Sequence, residues 1–594
     1  MRVFEANVSH QVSDYLFDNL KNIASFKIAN QKMFDDFGML QFFENGNELG
    51  TLKATISDSS SIVAEPDRAE YGDFQTNEDL ANKVALHLVS ATISPEIIVE
   101  PTCGKGNFIV ASLKNFNGIK HIFGVEIYKP YVWETKFNII SFFLNNPKAN
   151  KPTIEITHCD VFDFDFKKIA KQFSKNEILI IGNPPWVTNS KLGSLSSFGR
   201  QSANLPKKSN FKNHSGLDAM TGKGNFDIAE SITLTMINTF QKMKGNLLLL
   251  VKNSVIKNIV FDQKKNNYLI SEIEKYCIDS KKEFNVSVEA SLFYTKLNSN
   301  AHTFCTEYNF YDNQNPIVQF GWLGDKFVSN IDAYSYSKNI DGECPFVWRQ
   351  GLKHDCSSVM ELDKINGHYV NGLNEEIKLE DGLVYGILKS SDLKNTVINQ
   401  TRKYTIVTQK KVGQETKFIK DNYPKTYQYL TDHQTNFDAR KSSIYNNKPA
   451  FSIFGIGDYS FKPYKVAISG LYKTFHFTLI LPQSEKPVML DDTCYLIGFD
   501  KIEFAVYALI LLNLDNTMQF LQSVTFTDAK RTFTKDVLMR IDLLELAKQI
   551  NRTYLETELK RLNTMYNFSL TLCLWDSFMD EMTPEYSGQI ELFA

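Results

Sequence analysis

The chain carries at residues 97–108 the sequence Ile97-Ile98-Val99-Glu100-Pro101-Thr102-Cys103-Gly104-Lys105-Gly106-Asn107-Phe108. An apolar β-type run leads into a glycine turn and then into the apolar spacing of a helix. Gly104 and Gly106 would let the backbone approach a ligand closely. Since the third glycine of a dinucleotide fingerprint is missing, a tight strand-to-helix connection explains this turn equally well when it is taken alone.

Similar β-rich runs recur between about residues 71 and 297, separated by amphipathic segments. They include Ile122–Val125, Ile178–Ile181 and Asn246–Val251. Strands that alternate with helical segments are typical of a parallel sheet covered by helices. The sequence therefore predicts the α/β fold class for this part of the chain.

The sequence divides into three predicted regions. Residues 1–70 are expected to form an N-terminal helical arm, residues 71–300 the α/β domain, and residues 301–594 a second lobe of mixed α and β type. Within the α/β domain, residues 186–224 lose all periodicity and are rich in Ser, Gly, Asn and Lys. This composition predicts a long mobile basic loop.

The composition excludes several classes of protein. With 594 residues, 43% of them hydrophobic, the chain is too long and too apolar to be disordered, and its apolar runs are too short to span a membrane. The N-terminal residues lack a secretion pattern and the eight cysteines lack metal or disulfide spacing, so we expect a cytoplasmic protein without a metal or a membrane partner. A net charge of -3 requires any nucleic acid to bind a local basic patch.

Two acidic residues follow later β-runs of the predicted sheet. Glu126 ends the second run about twenty residues after the glycine turn, where an acid can accept both hydroxyls of a ribose. Asp160 follows the run Thr153–Thr157 and could receive an adenine amino group. A surface glutamate and an aspartate that caps a turn are the structural alternatives.

The β-run Ile178–Ile181 ends in Gly182 and the tetrapeptide Asn183-Pro184-Pro185-Trp186. Two adjacent prolines fix the backbone and end the strand. The side-chain oxygen of Asn183 and the carbonyl of Pro184 would form two rigid acceptors beside the face of Trp186, which is a receptor for a planar amine. A structural Asn-Pro turn would explain the four residues alone, but their position after a strand and the three upstream sites favour the receptor.

In this order, these motifs resemble those of S-adenosylmethionine-dependent N6-adenine DNA methyltransferases of the gamma group, the type II restriction-modification family. The resemblance implies a Rossmann-like methyltransferase domain followed by a C-terminal α+β target-recognition domain. Tyr71–Thr76 resembles the N-terminal cofactor segment of the family, which usually continues Thr-Pro, whereas Asn77 stands here at the position of the proline.

The resemblance also implies a role for each matching residue. The methionine part of S-adenosyl-L-methionine would bind Thr76, Glu100, Pro101, Thr102, Gly104 and Gly106. Glu126 would bind the ribose, and Asp160 the adenine of the cofactor. Asn183, Pro184, Pro185 and Trp186 would be catalytic, with Trp186 stacking on the target base.

Two further groups of residues are candidates for contacts with DNA. Phe284 lies where the family has an aromatic residue for the opposite face of the base, although ordinary core packing explains most of the 45 phenylalanines. Lys207, Lys208 and Lys212 of the basic loop would contact the DNA backbone. The segments Phe346–His354, Ile453–Lys465 and Thr527–Thr532 look like parts of recognition lobes, but solvated turns explain them equally well.

We therefore expect a monomeric, nucleoid-associated prokaryotic enzyme that methylates N6 of a flipped-out adenine in double-stranded DNA at a specific site. The biological role implied by the resemblance is modification alongside a separately encoded cognate restriction endonuclease. Three alternatives stay open: a fused nuclease and methyltransferase, a methyltransferase that acts on RNA or a protein glutamine, and a DNA-binding subunit with a decayed cofactor site. The motifs alone do not separate adenine N6 from cytosine N4.

Overall fold

The computed structural model of the chain describes residues 2–57, 74–186, 227–286, 288–312, 315–472, 475–526 and 533–583. The chain folds into two compact units, Met1–Phe327 and Val328–Ala594. The candidate site lies in the first unit, and the two units are described separately below.

The first unit is built on one large sheet. Its strands are β1 (Arg2–Val3), β2 (Ala6–Asn7), β3 (Met39–Leu40), β4 (Ile97–Glu100), β5 (His121–Glu126), β6 (Thr153–His158), β7 (Ile178–Gly182), β8 (Gly245–Lys252), β9 (Ile270–Cys277), β10 (Ala290–Leu297), β11 (Phe304–Asn309), β12 (Val318–Leu323) and β13 (Lys326–Val328). β1 and β2 form a separate antiparallel pair. In the described part of the chain, the other strands form an eleven-stranded sheet in the order β13-β12-β11-β9-β10-β8-β7-β4-β5-β6-β3.

The centre of this sheet is parallel. β8, β7, β4, β5 and β6 run in one direction, and every residue of β4 and β7 is buried. Strands buried on both faces are apolar throughout rather than alternating, which is why their sequences are runs of Ile, Leu and Val. β10 departs from this pattern because it is antiparallel to both of its neighbours, β8 and β9.

Helices connect these strands. They are α1 (His10–Leu20), α2 (Phe26–Phe37), α3 (Gly46–Ser57), α4 (Glu78–Ser90), α5 (Asn107–Asn115), α6 (Lys129–Asn145), α7 (Phe166–Gln172), α8 (Ile228–Phe240), α9 (Asn253–Asn266) and α10 (Ser280–Phe284). The chain moves outward from β4 through β5 to β6 and then returns to β7 on the other side of β4. Ligands of open α/β sheets bind at such a reversal, outside the carboxyl ends of the strands.

The limits of the first unit differ from the predicted limits of the α/β domain, 71–300. β3 pairs with β6, and the buried Lys136 of α6 donates a hydrogen bond to the carbonyl of Phe42 at 2.7 Å, so the N-terminal arm belongs to this unit. At the other end, β11 pairs with β9 and extends the sheet past residue 300. Short strands at the sheet edges carry too few residues for their pairing to be read from periodicity.

The second unit contains two further sheets. Its strands are β14 (Arg349–Gln350), β15 (Glu361–Ile365), β16 (His368–Asn371), β17 (Glu376–Ile377), β18 (Val384–Leu388), β19 (Val397–Ile398), β20 (Lys403–Ile406), β21 (Tyr464–Ser469), β22 (Thr478–Ile480), β23 (Met489–Leu490) and β24 (Cys494–Phe499). Within the described residues, one sheet has the order β14-β24-β21-β22-β19 and the other β17-β16-β15-β20-β18-β23. Together with the helices of this unit, they confirm the predicted mixed α and β class.

The helices of the second unit concentrate near its C-terminal end. They are α11 (Ile331–Ser337), α12 (Ser357–Met360), α13 (Phe418–Asn422), α14 (Pro424–Asp432), α15 (Gln434–Asp438), α16 (Asp458–Phe461), α17 (Ile502–Leu512), α18 (Asp515–Val524), α19 (Lys535–Leu538), α20 (Leu543–Gln549), α21 (Arg552–Tyr566) and α22 (Trp575–Glu581). α17 is buried from Phe504 to Leu512 and belongs to the hydrophobic cluster that also contains Trp348 and Phe578. No single helix in the described ranges is long and apolar enough to cross a membrane; α17 and α18 reach that length only as a pair bent by 63°.

Two segments that the sequence singles out in the second lobe join each other. Lys353 and Phe454 exchange both backbone hydrogen bonds at 2.8 Å, and the ring of Tyr459 lies 5.7 Å from the guanidinium of Arg349. Lys465 is buried and donates to a backbone carbonyl, and burial lowers its pKa to about 7. Lys465 is therefore a core residue and cannot contact DNA. Arg349 is exposed, so a DNA contact is open to it.

Candidate active site

The candidate site lies at the carboxyl ends of β4 and β7, where the strand order reverses. The two strands pair in register from Ile97 with Ile178 to Val99 with Ile180, so Glu100 at the end of β4 lies beside the last residues of β7, which the tetrapeptide directly follows. A Cβ atom on Gly182 would stand 3.3 Å from Cγ of Glu100. This close packing brings the predicted cofactor acid and the tetrapeptide together.

The glycine turn between β4 and α5 has a backbone that favours glycine. Gly104 has a φ of 52° and Gly106 a φ of 78°. A Cβ atom on Gly104 would lie 2.4 Å from Oε1 of Gln75, and one on Gly106 would lie 2.6 Å from Cγ2 of Thr135. Both glycines are therefore required by conformation and by space.

Helix α6 holds this turn from behind. The Thr135 hydroxyl donates to the carbonyl of Gly104 at 2.8 Å, and the Asn138 amide donates to the carbonyl of Lys105 at 2.9 Å. The Lys105 ammonium lies 3.1 Å from a carboxylate oxygen of Glu134. Because three residues of one helix fix consecutive groups of the turn, its shape is set before any ligand binds.

Glu126, at the end of β5, lies against the same turn. One carboxylate oxygen accepts the backbone N–H of Gly104 at 2.9 Å, and the other accepts that of Tyr128 at 2.8 Å. A carboxylate oxygen has two lone pairs and can accept more than one hydrogen bond. The backbone bonds fix the orientation of the carboxylate at the mouth of the turn.

Glu100 is the most deeply buried acid of the site, with 2% of its surface exposed. Burial raises its pKa well above the usual range of a glutamate, the nearby carboxylate of Glu126 adds to the shift, and the backbone N–H of Ile109 opposes it. Its Oε2 atom is buried and accepts no hydrogen bond from the described residues. A cationic donor at this position would supply the missing partner.

Asp160 follows β6, and its carboxylate accepts the backbone N–H of Phe162 at 3.1 Å while its carbonyl accepts that of Asp163 at 3.0 Å. This is the turn geometry that aspartate commonly stabilises. The contacts position Asp160 at the carboxyl edge of the sheet, beside β5 and β6.

Asn183 is held by its amide nitrogen. Nδ2 donates to the carbonyl of Phe74 at 2.7 Å and to the hydroxyl of Thr76 at 3.1 Å. Both donors of the amide are thereby used, which fixes the positions of nitrogen and oxygen. The Oδ1 atom is buried and accepts no hydrogen bond from any residue in the described ranges. The side chain therefore presents a fixed, unpaired acceptor.

Trp186 completes the tetrapeptide and is 6% exposed. Its indole N–H donates to the carbonyl of Leu250 at 3.3 Å. The centroid of the Trp186 ring lies 5.2 Å from that of Phe74 and 5.2 Å from that of Phe284, the latter in an edge-to-face contact. A base stacked between Trp186 and Phe284 needs a gap of about 7 Å, so the two rings must separate to admit it.

Comparison with known proteins assigns the chain to a family. No protein-family model matches the sequence. The type II methyltransferase M.NspV of Nostoc sp. (strain ATCC 29411 / PCC 7524) is 43% identical over 493 residues, which cover 82% of this chain and 99% of that protein. This chain belongs to the type II methyltransferase family.

Solved structures show weaker likenesses to this type II methyltransferase. The type IIL restriction-modification enzyme MmeI in complex with DNA has a TM-score of 0.49 and 12% identity, over 89% of this chain and 74% of MmeI. The type IIG restriction endonuclease BpuSI has a TM-score of 0.34 and 13% identity, over 98% of this chain and 76% of BpuSI. These values carry no information about activity.

Family membership confirms three expectations for the methyltransferase. The resemblance to type II restriction-modification methyltransferases is confirmed, and so is the Rossmann-like fold, whose parallel centre and strand reversal the sheet shows. The methyl donor of this family is S-adenosyl-L-methionine, as expected. The chain is therefore a DNA methyltransferase of the type II restriction-modification family.

The segment Phe74–Asn77 contributes more to the methyltransferase site than sequence reasoning predicted. Thr76 contacts both halves of the site, because its carbonyl accepts the amide of Asn107 at 2.6 Å while its hydroxyl accepts that of Asn183. Gln75 accepts the backbone N–H of Lys105 at 3.2 Å. The sequence signals for these contacts are the position of the segment just before the first strand and the resemblance of Tyr71–Thr76 to the family's cofactor segment.

The hydrogen bonding of Asn77 gives a reason for an asparagine at the position where the family usually has a proline. Its side-chain oxygen accepts the backbone N–H of Leu80 at 2.7 Å and caps α4, a bond that a proline could not make.

Some predicted site residues lie outside the described residues. They are Lys207, Lys208 and Lys212, the rest of the loop 186–224 beyond Trp186, and the segment Thr527–Thr532. Among the residues that are described, no group of three His, Cys, Asp or Glu side chains could hold a metal ion.

Proposed function

We propose that this methyltransferase transfers a methyl group to the exocyclic N6 of an adenine flipped out of duplex DNA. The observation that carries the proposal is the buried, unpaired Oδ1 atom of Asn183, whose direction is fixed by the two hydrogen bonds of Nδ2. A buried acceptor without a partner costs free energy, so a site that keeps one is suited to a ligand that donates there.

The chemistry of adenine requires such acceptors. The lone pair of N6 is delocalised into the ring, so the nitrogen is a weak nucleophile while the amine is planar. Asn183 and the backbone carbonyl of Pro184 would each accept one N6 hydrogen and draw it out of the plane. This polarisation needs neither a metal nor a strong general base.

The residues around the glycine turn fit S-adenosyl-L-methionine. The unpaired Oε2 of Glu100 suits the ammonium of its methionine part, and Glu126 suits the ribose hydroxyls. Thr76, Pro101, Thr102, Gly104 and Gly106 would line the methionine part, and Asp160 would accept from the adenine amine. When bound, the cofactor supplies an activated sulfonium methyl group. Glu100 ends β4 and Asn183 follows the neighbouring β7, so the two residues would hold the methyl donor and the acceptor amine next to each other.

The aromatic residues would hold the flipped base. Unstacking a base from the duplex costs a few kcal/mol, which stacking on Trp186 partly returns. The indole N–H bond to Leu250 keeps the Trp186 ring in place, so Phe284 is the ring that would move to admit the base. An ordered Trp186 face and a displaceable Phe284 would together form the slot.

The second unit would read the sequence of double-stranded DNA. Its joined segments around Lys353 and Phe454 place the exposed Arg349 beside an aromatic ring, a combination suited to a nucleic-acid backbone. We further propose that the enzyme acts as a monomer, in which one chain supplies both the methylation site and the recognition unit, and that a separate endonuclease cleaves the unmodified sequence.

Methylation sequencing of DNA from a methylation-free host that expresses the chain tests the proposal. We expect N6-methyladenine at one recurring motif, and its loss of at least 100-fold in the variant Asn183→Ala. The matched control is Asn145→Ala, an exposed asparagine at the end of α6. Isothermal titration with S-adenosyl-L-methionine should give Asn183→Ala an affinity within about threefold of the wild type, because Asn183 belongs to the acceptor half of the site.

Other outcomes would redirect the assignment. N4-methylcytosine at one motif would keep the amine receptor but change the base. Methyl transfer to RNA or to a protein glutamine without any DNA product would contradict the proposal. Magnesium-dependent cleavage of unmodified DNA by the purified chain would establish the fused enzyme instead.

A further inference from the structure

We propose that Asn77, Glu283 and Tyr311 form a latch that positions Phe284 on the flipped base. The Asn77 amide donates to Oε2 of Glu283 at 3.2 Å, and the Tyr311 hydroxyl donates to Oε1 of the same carboxylate at 2.7 Å. Glu283 immediately precedes Phe284 on α10. The inference rests on the proposed function, since it assigns positioning residues to the same site.

The two rings of the base slot are held in different ways. Trp186 is nearly buried and is bonded to Leu250. Phe284 is half-buried on a helix of five residues, which ends at Asn285 with a φ of 55°. One helical turn has little stability of its own. The position of Phe284 therefore depends on what holds α10 to the rest of the unit.

Two contacts tie α10 to the part of the unit that contains Trp186 and Asn183. Phe284 touches Trp186, and Glu283 is bonded to Asn77, which directly follows the segment that holds Asn183. Tyr311 approaches the carboxylate from beyond β11. A base inserted between Trp186 and Phe284 would be pressed against Trp186, because the latch resists outward movement of α10.

Asn77 joins the latch to the cofactor side of the unit. Its oxygen caps α4 while its amide nitrogen binds Glu283, so one side chain serves both helices. The preceding residues Phe74 and Thr76 bind the amide of Asn183. The proline that the family usually has at this position offers no such donor. The latch is thus a feature of this chain rather than of the shared motif.

Four substitutions separate the parts of the latch. Glu283→Ala removes both acceptors, whereas Glu283→Gln keeps an oxygen that can accept from Tyr311 or Asn77. Asn77→Ser keeps an oxygen to cap α4 but replaces the amide that donates to Glu283 by a shorter side chain with a single hydroxyl. Tyr311→Phe removes one hydroxyl. The control is Glu272→Ala, an exposed glutamate paired with Lys296 and remote from the slot.

The measurements are single-turnover methyl transfer and the fluorescence of 2-aminopurine placed at the target adenine of the mapped motif. We expect Glu283→Ala to lower the transfer rate about three- to tenfold, since exposed hydrogen bonds contribute modestly. Emission should rise because the flipped base is less tightly stacked. Glu283→Gln should restore most of both signals, and the affinity for S-adenosyl-L-methionine should change less than twofold.

Several results would overturn the latch. Wild-type transfer and emission in Glu283→Ala would remove Glu283 from positioning, and a parallel loss of cofactor affinity would reduce it to a structural role. If Glu283→Ala does not fold, an unchanged Tyr311→Phe together with an unchanged Asn77→Ser would have the same meaning. A wild-type enzyme that methylates no adenine would instead refute the proposed function, so the two failures are distinct.

Discussion

At the two glycines of the turn between β4 and α5, even the methyl group of an alanine would overlap a neighbouring side chain. A Cβ on Gly104 would meet the flexible end of Gln75, whereas one on Gly106 would meet Thr135, whose hydroxyl already binds the carbonyl of Gly104. Gln75 is also bonded to the turn, through the N–H of Lys105, but its long side chain can rotate away more easily than the branched side chain of Thr135. The two positions should therefore differ in their tolerance of alanine.

We expect Gly106→Ala to lower the free energy of unfolding by about 2 kcal/mol or more and to weaken S-adenosyl-L-methionine binding at least tenfold. The physical causes are the positive φ and the overlap with Thr135. Denaturant unfolding and calorimetry measure both effects. The control Gly324→Ala has a φ of 62° but meets nothing within 4 Å, so it isolates the backbone cost. Equal losses of unfolding free energy in Gly106→Ala and Gly324→Ala would show that Thr135 moves aside and that its overlap with the new Cβ atom costs nothing.

Glu100 links stability to pH. Because the folded chain raises its pKa, the stability that Glu100 contributes is full below its ordinary pKa of 4.5 and is lost as the pH rises through the raised value. Without cofactor, Glu100→Gln should be more stable than the wild type at pH 8 by about 1–3 kcal/mol, and the difference should vanish near pH 4. Thermal unfolding across pH measures this. A variant that is less stable at pH 8 would contradict the burial argument.

Some of these residues could be predicted from the sequence and others could not, for a physical reason. Glu100 and Asn183 could be predicted because each follows a buried strand, and the ends of parallel strands meet at one edge. Thr135 and Glu283 could not, because their partners depend on how helices pack onto the turn and the slot. Nothing in local periodicity reports a hydrogen bond between residues 77 and 283.

Among the elements, the central strands were predicted from their apolar runs, and the sheet order was not. β10 lies between β8 and β9 and is antiparallel to both, although its sequence pattern gives no sign of direction. Helix α6 shows a similar limit. Only packing shows that Thr135 of this helix faces the turn while Lys136 faces Phe42, where burial lowers the pKa of Lys136 to about 8.

The role in DNA recognition of the joined segments Phe346–His354 and Ile453–Lys465 can be tested directly. Gly455 has a φ of 64°, and a Cβ there would stand 2.1 Å from the carbonyl oxygen of Gly351, a backbone atom that cannot rotate away. We expect Gly455→Ala to weaken binding of the methylated motif at least tenfold and to leave cofactor affinity within twofold. Fluorescence anisotropy and calorimetry measure the two.

The matched control for this junction is Gly413→Ala in the same unit. Gly413 has a φ of 79°, but a Cβ atom there would meet nothing within 4 Å, so this variant carries the backbone strain alone. Retention of DNA affinity in Gly455→Ala would show that the joined segments take no part in recognition.

At the scale of the whole molecule, the chain divides between Phe327 and Val328. The sequence predicted two lobes but placed the change at residue 300, because the short strands β11 to β13 look irregular when read alone. For the second unit, the sequence predicted only that it mixes α and β structure. Its core joins α17 to helices and strands far apart in the chain, and such non-local packing leaves no periodic signal.

The inserted strand β10 also sets an order of events during synthesis. β8 and β9 leave the ribosome first, yet each keeps an open backbone edge until residues 290–297 arrive to pair with both. Open edges are the sites where nascent chains pair wrongly. β10 therefore closes one edge of β8 and one edge of β9 in a single step. The other edge of β9 stays open until β11 pairs with it, so residues 304–309 must also be made before this part of the sheet is protected from misassembly.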